Sequence, residues 1–387
     1  MATTVALLGT GGYGRIHLDR LAGLVDRGRV ELVAVADPAG PSDLVPAGTP
    51  VHADLEALLG EHTPEVVIVS TPIHTHAPLA IRAMEAGADV YVEKPPAAGT
   101  GPFEQMREAA ARAGRSCQVG FQSYGSLGLA RVGELIAEGA IGSLQRFEAR
   151  GMWLRTTGYY QRSPWAGRRR DGEVVVADGV TTNPLSHSVS AALHLAGLDR
   201  VDRIGRITTE LYHAHPIEAD DTSFIRVDPV AEDGVPVLAA LTVCAPEHEV
   251  ATVTAVGTEG RIVFHYTEDV VHLLGPDGEA RSTEQTGRID LFENLLDHRD
   301  DPTVELLSPL ERSSGFTAVL QAILDAPEPR PLPDAAVEWV GEQEKSHPVL
   351  EGIGDWSRAA LADGGGYAAA GAPWASTEAV TVHDLSA

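Results

Sequence analysis

Apolar runs of four to seven residues recur through the first part of the chain, separated by stretches whose apolar residues fall at helical spacing. Val5 to Leu8 is such a run, and Ile16, Leu18, Leu21, Leu24 and Val25 follow at roughly helical intervals. Val30 to Ala36, Val66 to Ser70 and Ala88 to Val92 repeat the run, with a helical stretch from Ala77 to Ala86 stopped by Gly87. Continuous apolar runs predict strands buried on both faces. Their alternation with helices predicts a parallel sheet covered by helices. The pattern changes from Ser143. Leu144 to Trp153, Thr222 to Val227, Val235 to Cys244, Val250 to Val256 and Arg261 to Tyr266 read as longer alternating strands. Turn signals at Asp233-Gly234 and Pro276-Asp277-Gly278 predict a mostly antiparallel sheet. Helices are predicted around Phe292 to His298 and over Pro309 to Leu324, and a proline-rich link, residues 327–333, follows. The Gly- and Ala-rich tail carries Trp339, Trp356 and Trp374, which need burial and so argue against disorder. The chain is therefore expected to be α/β, with a parallel-sheet domain over residues 1–124 and an α+β domain over 125–333. A C-terminal extension, 334–387, is expected to pack on the body.

The 387 residues are enough for two domains with separate cores. A formal net charge of −26 repels phosphate backbones and anionic membrane surfaces, which sets nucleic acid and membranes aside as partners. Arg168-Arg169-Arg170 is the one basic run, too short to reverse that field. The two cysteines, Cys117 and Cys244, sit in apolar stretches and point to a reducing compartment without disulfides. No stretch approaches membrane-spanning length, and no basic region precedes the first apolar run. A cytoplasmic location is expected.

The first run leads directly into Gly9-Thr10-Gly11-Gly12-Tyr13-Gly14, a G-x-G-x-x-G pattern between strand and helix. There Gly9 permits the tight turn, Gly11 lets a pyrophosphate approach the backbone, and Gly14 lets helix and strand pack closely. The helix N-terminus presents N–H groups and a positive dipole end to phosphate. Asp37 ends the second run 23 residues beyond Gly14, near the offset at which an acid binds the adenosine ribose. Residues 38–43 contain no arginine or lysine to neutralise a 2′-phosphate, which favours NAD over NADP. Further along, Ser70-Thr71-Pro72 and Glu93-Lys94-Pro95 follow strand ends too. Ligands of such sheets bind beyond the carboxyl ends of the strands, so Gly9, Asp37, Thr71 and Lys94 converge on one edge. Lys94 is one of only two lysines, the other being Lys345. A lysine amine can exchange a proton where arginine cannot. His74 and His76 have no acidic or cysteine partner at ligand spacing, so no metal is expected.

These features together resemble the Gfo/Idh/MocA oxidoreductases. The matching residues are the glycine loop with His17 three residues on, Ser70-Thr71-Pro72 with His76, and Glu93-Lys94-Pro95. Val119-Gly120-Phe121-Gln122 and Ile136-Ala137-Glu138-Gly139-Ala140-Ile141-Gly142 match as well, and the resemblance spans roughly residues 4–330. It implies a Rossmann domain and a second domain on a large open sheet. It also implies oxidation or reduction of a carbinol of a sugar or cyclitol with NAD or NADP, of which Asp37 favours NAD; a homodimer or homotetramer is expected. The cofactor residues implied are Gly9, Gly11, Gly12, Tyr13, Gly14, Asp37, Ser70, Thr71, Pro72, His76, Glu93, Lys94 and Gln122. Two positions depart from the family pattern. Ile73 stands where asparagine is frequent, and Ser123-Tyr124 where an arginine is frequent, which suggests an unusual substrate.

In the second domain the family carries D-x-x-x-H, or N-x-x-x-H in some subgroups, with the histidine beside the catalytic lysine. Asn183 and His187 take those places here. Asn183 before Pro184 reads as a helix N-cap, and the helix from Leu185 to Leu198 holds His187 in its first turn. A positive helix end favours a neutral, proton-accepting imidazole. Asn183 cannot ionise, so it either orients a substrate hydroxyl or caps the helix. The polar connection Thr156 to Asp178 carries Tyr159, Tyr160, Trp165 and Arg168. These residues, with Tyr124, either line a sugar site or form a loop packed by its own aromatics. The reading is a dehydrogenase or reductase in which His187 removes the hydroxyl proton and Lys94 holds the oxygen, or the reverse. Two other classes share these residues: a lyase or glycosidase that oxidises its sugar transiently and recycles NAD, and a dinucleotide-binding regulator without turnover.

Overall fold

The structure is a computed structural model and describes residues 2–385. The chain divides into two compact units, Met1–Phe121 with Asp290–Ser313, and Gln122–Ile289 with Ser314–Ala387.

In the first unit, strands β1 (Thr3–Leu8), β2 (Val30–Ala36), β3 (Val51–His52), β4 (Val66–Val69), β5 (Asp89–Val92) and β6 (Cys117–Val119) form one parallel sheet. Its order is β3-β2-β1-β4-β5-β6, the doubly wound arrangement of a Rossmann domain. Helices α1 (Gly14–Asp26), α2 (Leu55–Glu61), α3 (Ile73–Glu85) and α4 (Thr100–Ala113) connect the strands. Every residue of β4 and β5 is buried, as the uninterrupted apolar runs require. The direction of winding reverses between β1 and β4, and that switch point is where such sheets bind ligands.

Helix α5 (Leu127–Ala137) opens the second unit. Strand β7 (Leu144–Met152) follows, then the short helix α6 (Thr157–Tyr160), the small hairpin β8 (Arg170–Asp171) and β9 (Val174–Val175), and helix α7 (Ser186–Leu195). Strands β10 (Ile204–His213), β11 (Thr222–Pro229), β12 (Val237–Thr242), β13 (Thr252–Gly257), β14 (Arg261–His265), β15 (Val270–Leu274) and β16 (Ala280–Gln285) complete most of a ten-stranded sheet. It is mostly antiparallel, but β7 is inserted between β13 and β12 and runs parallel to β12. Side chains alternate across β7. Gly151 lies against Leu185, where an added Cβ would meet that side chain at 2.4 Å, while Met152 belongs to a core cluster on the other face.

Helix α8 (Leu291–Asp300) returns to the first unit. This corrects the expectation that residues 125–333 form one continuous domain. The reason is local: Phe292 and Leu295 are buried with Leu24 and Tyr91, Gln118 Nε2 donates to Asn294 Oδ1 at 2.7 Å, and Arg299 pairs with Asp89. Helix α9 (Ser314–Asp325), β17 (Arg330–Pro331), the hairpin β18 (Val337–Val340) and β19 (His347–Leu350), helix α10 (Ile353–Asp363) and β20 (Val380–Asp384) end the chain. The tail lies on the large sheet. Ile353, Leu361, Tyr367 and Trp374 share a core with Tyr212, Phe224 and Leu238, and β20 pairs with β10. Glu210, buried within that core, accepts from Tyr212 Oη at 2.7 Å and from the N–H groups of Tyr367 (2.8 Å) and Ala368 (3.0 Å). Of the three tail tryptophans, Trp374 is buried but Trp339 is 48% exposed, so the expectation of burial fails there. No described helix is long and apolar enough to cross a membrane.

Candidate active site

The glycine loop leaves β1 at the switch point, and its glycines divide by what surrounds them. A Cβ on Gly9 would stand 2.4 Å from the Ser70 carbonyl oxygen, and one on Gly14 would stand 2.1 Å from that of Gly9. Both positions therefore exclude any side chain, and Gly9 and Gly12 also have positive φ angles of 80° and 49°. Around Gly11 and Gly12 nothing lies within 4 Å of the added atom. The loop is thus packed shut on the protein side and open at the two glycines that a pyrophosphate would approach, and the residues fit a dinucleotide. Tyr13, 42% exposed, is the N-cap of α1 and makes no side-chain cap bond.

Asp37 follows β2 as expected. Its Oδ2 accepts the N–H (2.8 Å) and Oγ1–H (2.9 Å) of Thr10, and Oδ1 accepts the N–H of Ala39 at 3.0 Å. Partial burial would raise its pKa, but these bonds outweigh it and hold the carboxyl below its ordinary value. Thr10, which the sequence reading passed over, therefore joins glycine loop and acid; its Oγ1 also accepts the N–H of Ser42 at 2.9 Å. Residues 38–43 carry no cation, yet Arg15 of α1 reaches that loop, donating to Ser42 Oγ at 2.9 Å and pairing with Asp43.

Beyond β5, Glu93 is buried and its Oε1 stands 2.9 Å from His17 Nε2, so the acid of the E-K-P motif holds α1 beneath the glycine loop. Gly120, at the end of β6, makes room for this pair: an added Cβ would meet the Glu93 carboxylate at 3.0 Å. His76 is 1% exposed, and its ring nitrogens face the carbonyl oxygens of Thr71 (2.7 Å) and Pro95 (2.8 Å). Burial lowers its pKa against the pull of those carbonyls. Glu93 and His76 thus brace the loops after β4 and β5. Ser70 and Thr71 follow β4, with Thr71 Oγ1 2.6 Å from Thr75 Oγ1, and the exposed Pro72 caps α3. Lys94, half-buried, follows Glu93 on the same edge as Gly9 and Asp37.

Gln122, Asn183 and His187 lie in the second unit. Gln122 opens a single 3₁₀ turn, and its carbonyl accepts from Arg288 at 2.7 Å. His187 is in the first turn of α7 as expected, but Asn183 is not the N-cap, which is Leu185 without a side-chain bond. The Asn183 amide instead donates to Asp178 Oδ1. The Asp178 side chain is 1% exposed, and its Oδ2 accepts the N–H of Gly167 at 2.7 Å with Arg162 Nη2 at 3.5 Å. The amide NH₂ thus meets a carboxylate acceptor, and the first turn of α7 has no side-chain cap. Tyr266, another residue the sequence reading passed over, has its ring 6.4 Å from that of His187, and burial raises its pKa. Tyr124 is buried, donates to Ser190 O (3.2 Å), and has its ring tilted against that of His194 at 4.8 Å. It supports α7.

The connection from residue 156 to 178 packs partly on itself and partly borders a cavity. The Arg162 guanidinium lies 3.6 Å from the Tyr159 ring centre and 5.1 Å from that of Trp165, and Arg155 lies 4.6 Å from Tyr159. Those rings pack within the loop itself, held by cation–π contacts. Tyr160 and Arg168 line a cavity of about 460 Å³ with Gln161, His215 and Glu218. Arg168 is also paired with Asp171 at 3.2 Å.

Residues 3–121 match the sequence profile described as "Oxidoreductase family, NAD-binding Rossmann fold", and residues 129–263 match the "GFO/IDH/MocA C-terminal domain". Inositol 2-dehydrogenase 1 of Saccharopolyspora erythraea is 41% identical over 101 residues, 25% of this chain and 30% of that protein. The 1-carboxy-3-chloro-3,4-dihydroxycyclo hexa-1,5-diene dehydrogenase of Comamonas testosteroni is 30% identical over 195 residues, 49% of this chain and 47% of the relative. The aligned stretches thus span less than half the length of these curated relatives. Among solved structures, the WlbA dehydrogenase of Bordetella pertussis, in complex with NADH and UDP-GlcNAcA, is similar with a TM-score of 0.66 at 20% identity. That alignment covers 83% of this chain and 95% of that one. An inositol dehydrogenase homolog from Azotobacter vinelandii, complexed with NADH and myo-inositol, aligns with a TM-score of 0.66 at 16% identity over 83% and 94% of the two chains. At such identities the likeness is one of fold.

Proposed function

The chain belongs to the Gfo/Idh/MocA oxidoreductase family, and from that premise we propose that it is an NAD-dependent dehydrogenase or reductase of a cyclitol, sugar or sugar derivative. The observation that carries this reading is the position of Lys94: a lysine follows β5 on the sheet edge that also holds the open glycine loop and Asp37. When bound, NAD supplies hydride acceptance or donation at the nicotinamide. The chain's own part is to bind, orient and move a proton. Gly11 and Gly12 leave room for the pyrophosphate, and Asp37 accepts from ribose hydroxyls. Asp37 also disfavours NADP, because the nearby cation, Arg15, is already paired with Asp43. Lys94 holds and polarises the carbinol oxygen, and His187 accepts its proton, a division of labour that supplies typically ~10²–10⁴-fold each. Asn183 accepts a hydrogen bond from a substrate hydroxyl. Both cysteines are buried, and a cytoplasmic location is part of the reading. A homodimer or homotetramer is part of the reading and is tested by sedimentation.

The experiment is a panel of cyclitols, aldoses and sugar acids assayed by NADH absorbance in both directions. Net NADH formation with one class supports a dehydrogenase. Product formation without net NADH makes it an NAD-recycling lyase or glycosidase, and no turnover on any compound leaves a dinucleotide-binding regulator.

A further inference from the structure

We propose that His52, Glu61 and His62 form a binding site for one divalent ion of the zinc class, at the outer edge of the first unit. One nitrogen of each imidazole and one carboxylate oxygen of Glu61 lie within 4.8 Å of one another. The two rings meet edge to face, with their centres 5.3 Å apart. Nε2 of His52 and Nε2 of His62 are both buried, and neither has a hydrogen-bond partner among the described residues. A buried polar atom without a partner is costly, and here two of them sit on adjoining rings. A cation that takes up both lone pairs satisfies them together, and the exposed Glu61 carboxylate supplies compensating charge. The expectation of no metal rested on His74 and His76, which are a different set of residues.

The donor set decides the ion. Two imidazoles and a carboxylate suit zinc and its neighbours, whereas magnesium and calcium take oxygen ligands. Zinc bonds of ~2.0–2.2 Å put tetrahedral donors about 3.3 Å apart, so small side-chain rotations close the 4.8 Å span, and water completes the fourth position. His215, Asp221 and Cys244 form a second trio within the same span. Its groups are already engaged. His215 Nδ1 stands 3.0 Å from Asp221 Oδ2 and Nε2 3.1 Å from the Arg155 carbonyl oxygen, while Asp221 Oδ2 accepts the N–H groups of Ala214 and His215 at 2.8 Å. That trio is satisfied without an ion, and the His52–His62 pair is not. The position suggests a role. β3 is an edge strand of two residues, and α2 spans only seven, with Glu61 and His62 at its end. An ion would tie that helix end to the edge strand. The His52 carbonyl accepts the N–H of Asp37 at 3.1 Å, so the ion braces the strand against which Asp37 is held. The role is structural and does not depend on the dehydrogenase reading.

The test uses the full, untagged chain stripped with a chelator, and Zn²⁺ itself as probe in excess Mg²⁺, which occupies exposed carboxylates. Calorimetric titration should saturate at one Zn²⁺ per chain, and the thermal midpoint should rise with zinc concentration. His52→Gln and His62→Gln should each weaken zinc binding by about 100-fold or more, since even outer-shell partners of a metal cost ~10–100-fold. Glu61→Gln should weaken it less. Glu61 is exposed, so the zinc-free variant should melt with the parent, and its weaker response to zinc then reports a lost ligand and not a lost fold. Co²⁺ in place of Zn²⁺ should give visible d–d bands without the near-ultraviolet thiolate band that Cys244 would add. A parent that takes up no zinc in excess Mg²⁺ overturns the proposal, and the two rings are then only an edge-to-face contact. Affinity within about twofold of the parent in both histidine variants overturns it too, as does a thiolate band, which would move the ion to the Cys244 trio. No arm needs turnover, so failure of the dehydrogenase reading leaves each result as it stands.

Discussion

Asp220 lies against the segment that carries Asn183, and its ionisation should be readable as stability. It is fully buried, its backbone carbonyl accepts from Val180 N at 2.8 Å, and Gly179 packs so closely that an added Cβ would stand 2.1 Å from Asp220 Oδ1. Its Oδ2 has no partner among the described residues. Burial, opposed by backbone N–H bonds including that of Thr181, pushes its pKa up to about 6 from 3.8. The folded state therefore binds the proton more tightly than the unfolded chain. Stability from this group is fully present below about pH 4 and is lost as pH rises through about 6. The interval, 6 minus 3.8 or about 2 pH units, corresponds to about 3 kcal/mol at ~1.36 kcal/mol per unit. Asp220→Asn removes the ionisation while keeping an acceptor for Thr181. Urea denaturation of parent and variant at steps between about pH 4 and 8 measures the difference. The variant should gain on the parent by about 3 kcal/mol between pH 4 and 7, with no further gain above. A difference that stays constant over that range, or that favours the parent as pH rises, would show that Asp220 is not ionising in a buried site, and the reasoning would be refuted.

The remaining predictions concern cofactor, chemistry and the tail. Asp37→Ala should weaken NAD and narrow the preference over NADP, and Asp37→Ala/Asp43→Asn should tilt it further toward NADP by releasing Arg15; fluorescence titration of both cofactors checks this, and unchanged ratios would count against it. Lys94→Ala should retain NAD binding and lose ~10²–10⁴-fold in turnover, while a variant within a few-fold of the parent removes Lys94 from the chemistry. Gly14→Ala should abolish dinucleotide binding, because the methyl would stand 2.1 Å from the Gly9 carbonyl, and calorimetric titration would show it. Trp374, packed 4.9 Å from the Tyr367 ring, should cost about 3–5 kcal/mol as Ala and less as Phe, because its Nε1 has no partner to lose; urea midpoints decide.

What was legible in the sequence was whatever the chain encodes locally. Gly9, Gly14 and Asp37 announce themselves because a strand, a tight turn and a helix fall within one short stretch, and each residue type answers a constraint set by its immediate neighbours. Uninterrupted apolar runs likewise specified buried parallel strands, since a strand covered on both faces has no polar side. Pairings between distant segments left no such mark. The His17–Glu93 contact spans 76 residues, the return of α8 to the first unit comes after the Gln122–Ile289 part of the second, and the insertion of β7 beside β12 joins strands that alternation alone cannot order. Asn183 shows the same limit at close range. Asn before Pro is a sound N-cap pattern, and only the folded loop brings the buried Asp178 carboxylate to the amide NH₂ and moves the N-cap two residues on, to Leu185. Local propensity acts through neighbours along the chain, whereas the polarity of a site depends on which buried charge the tertiary fold places beside each group.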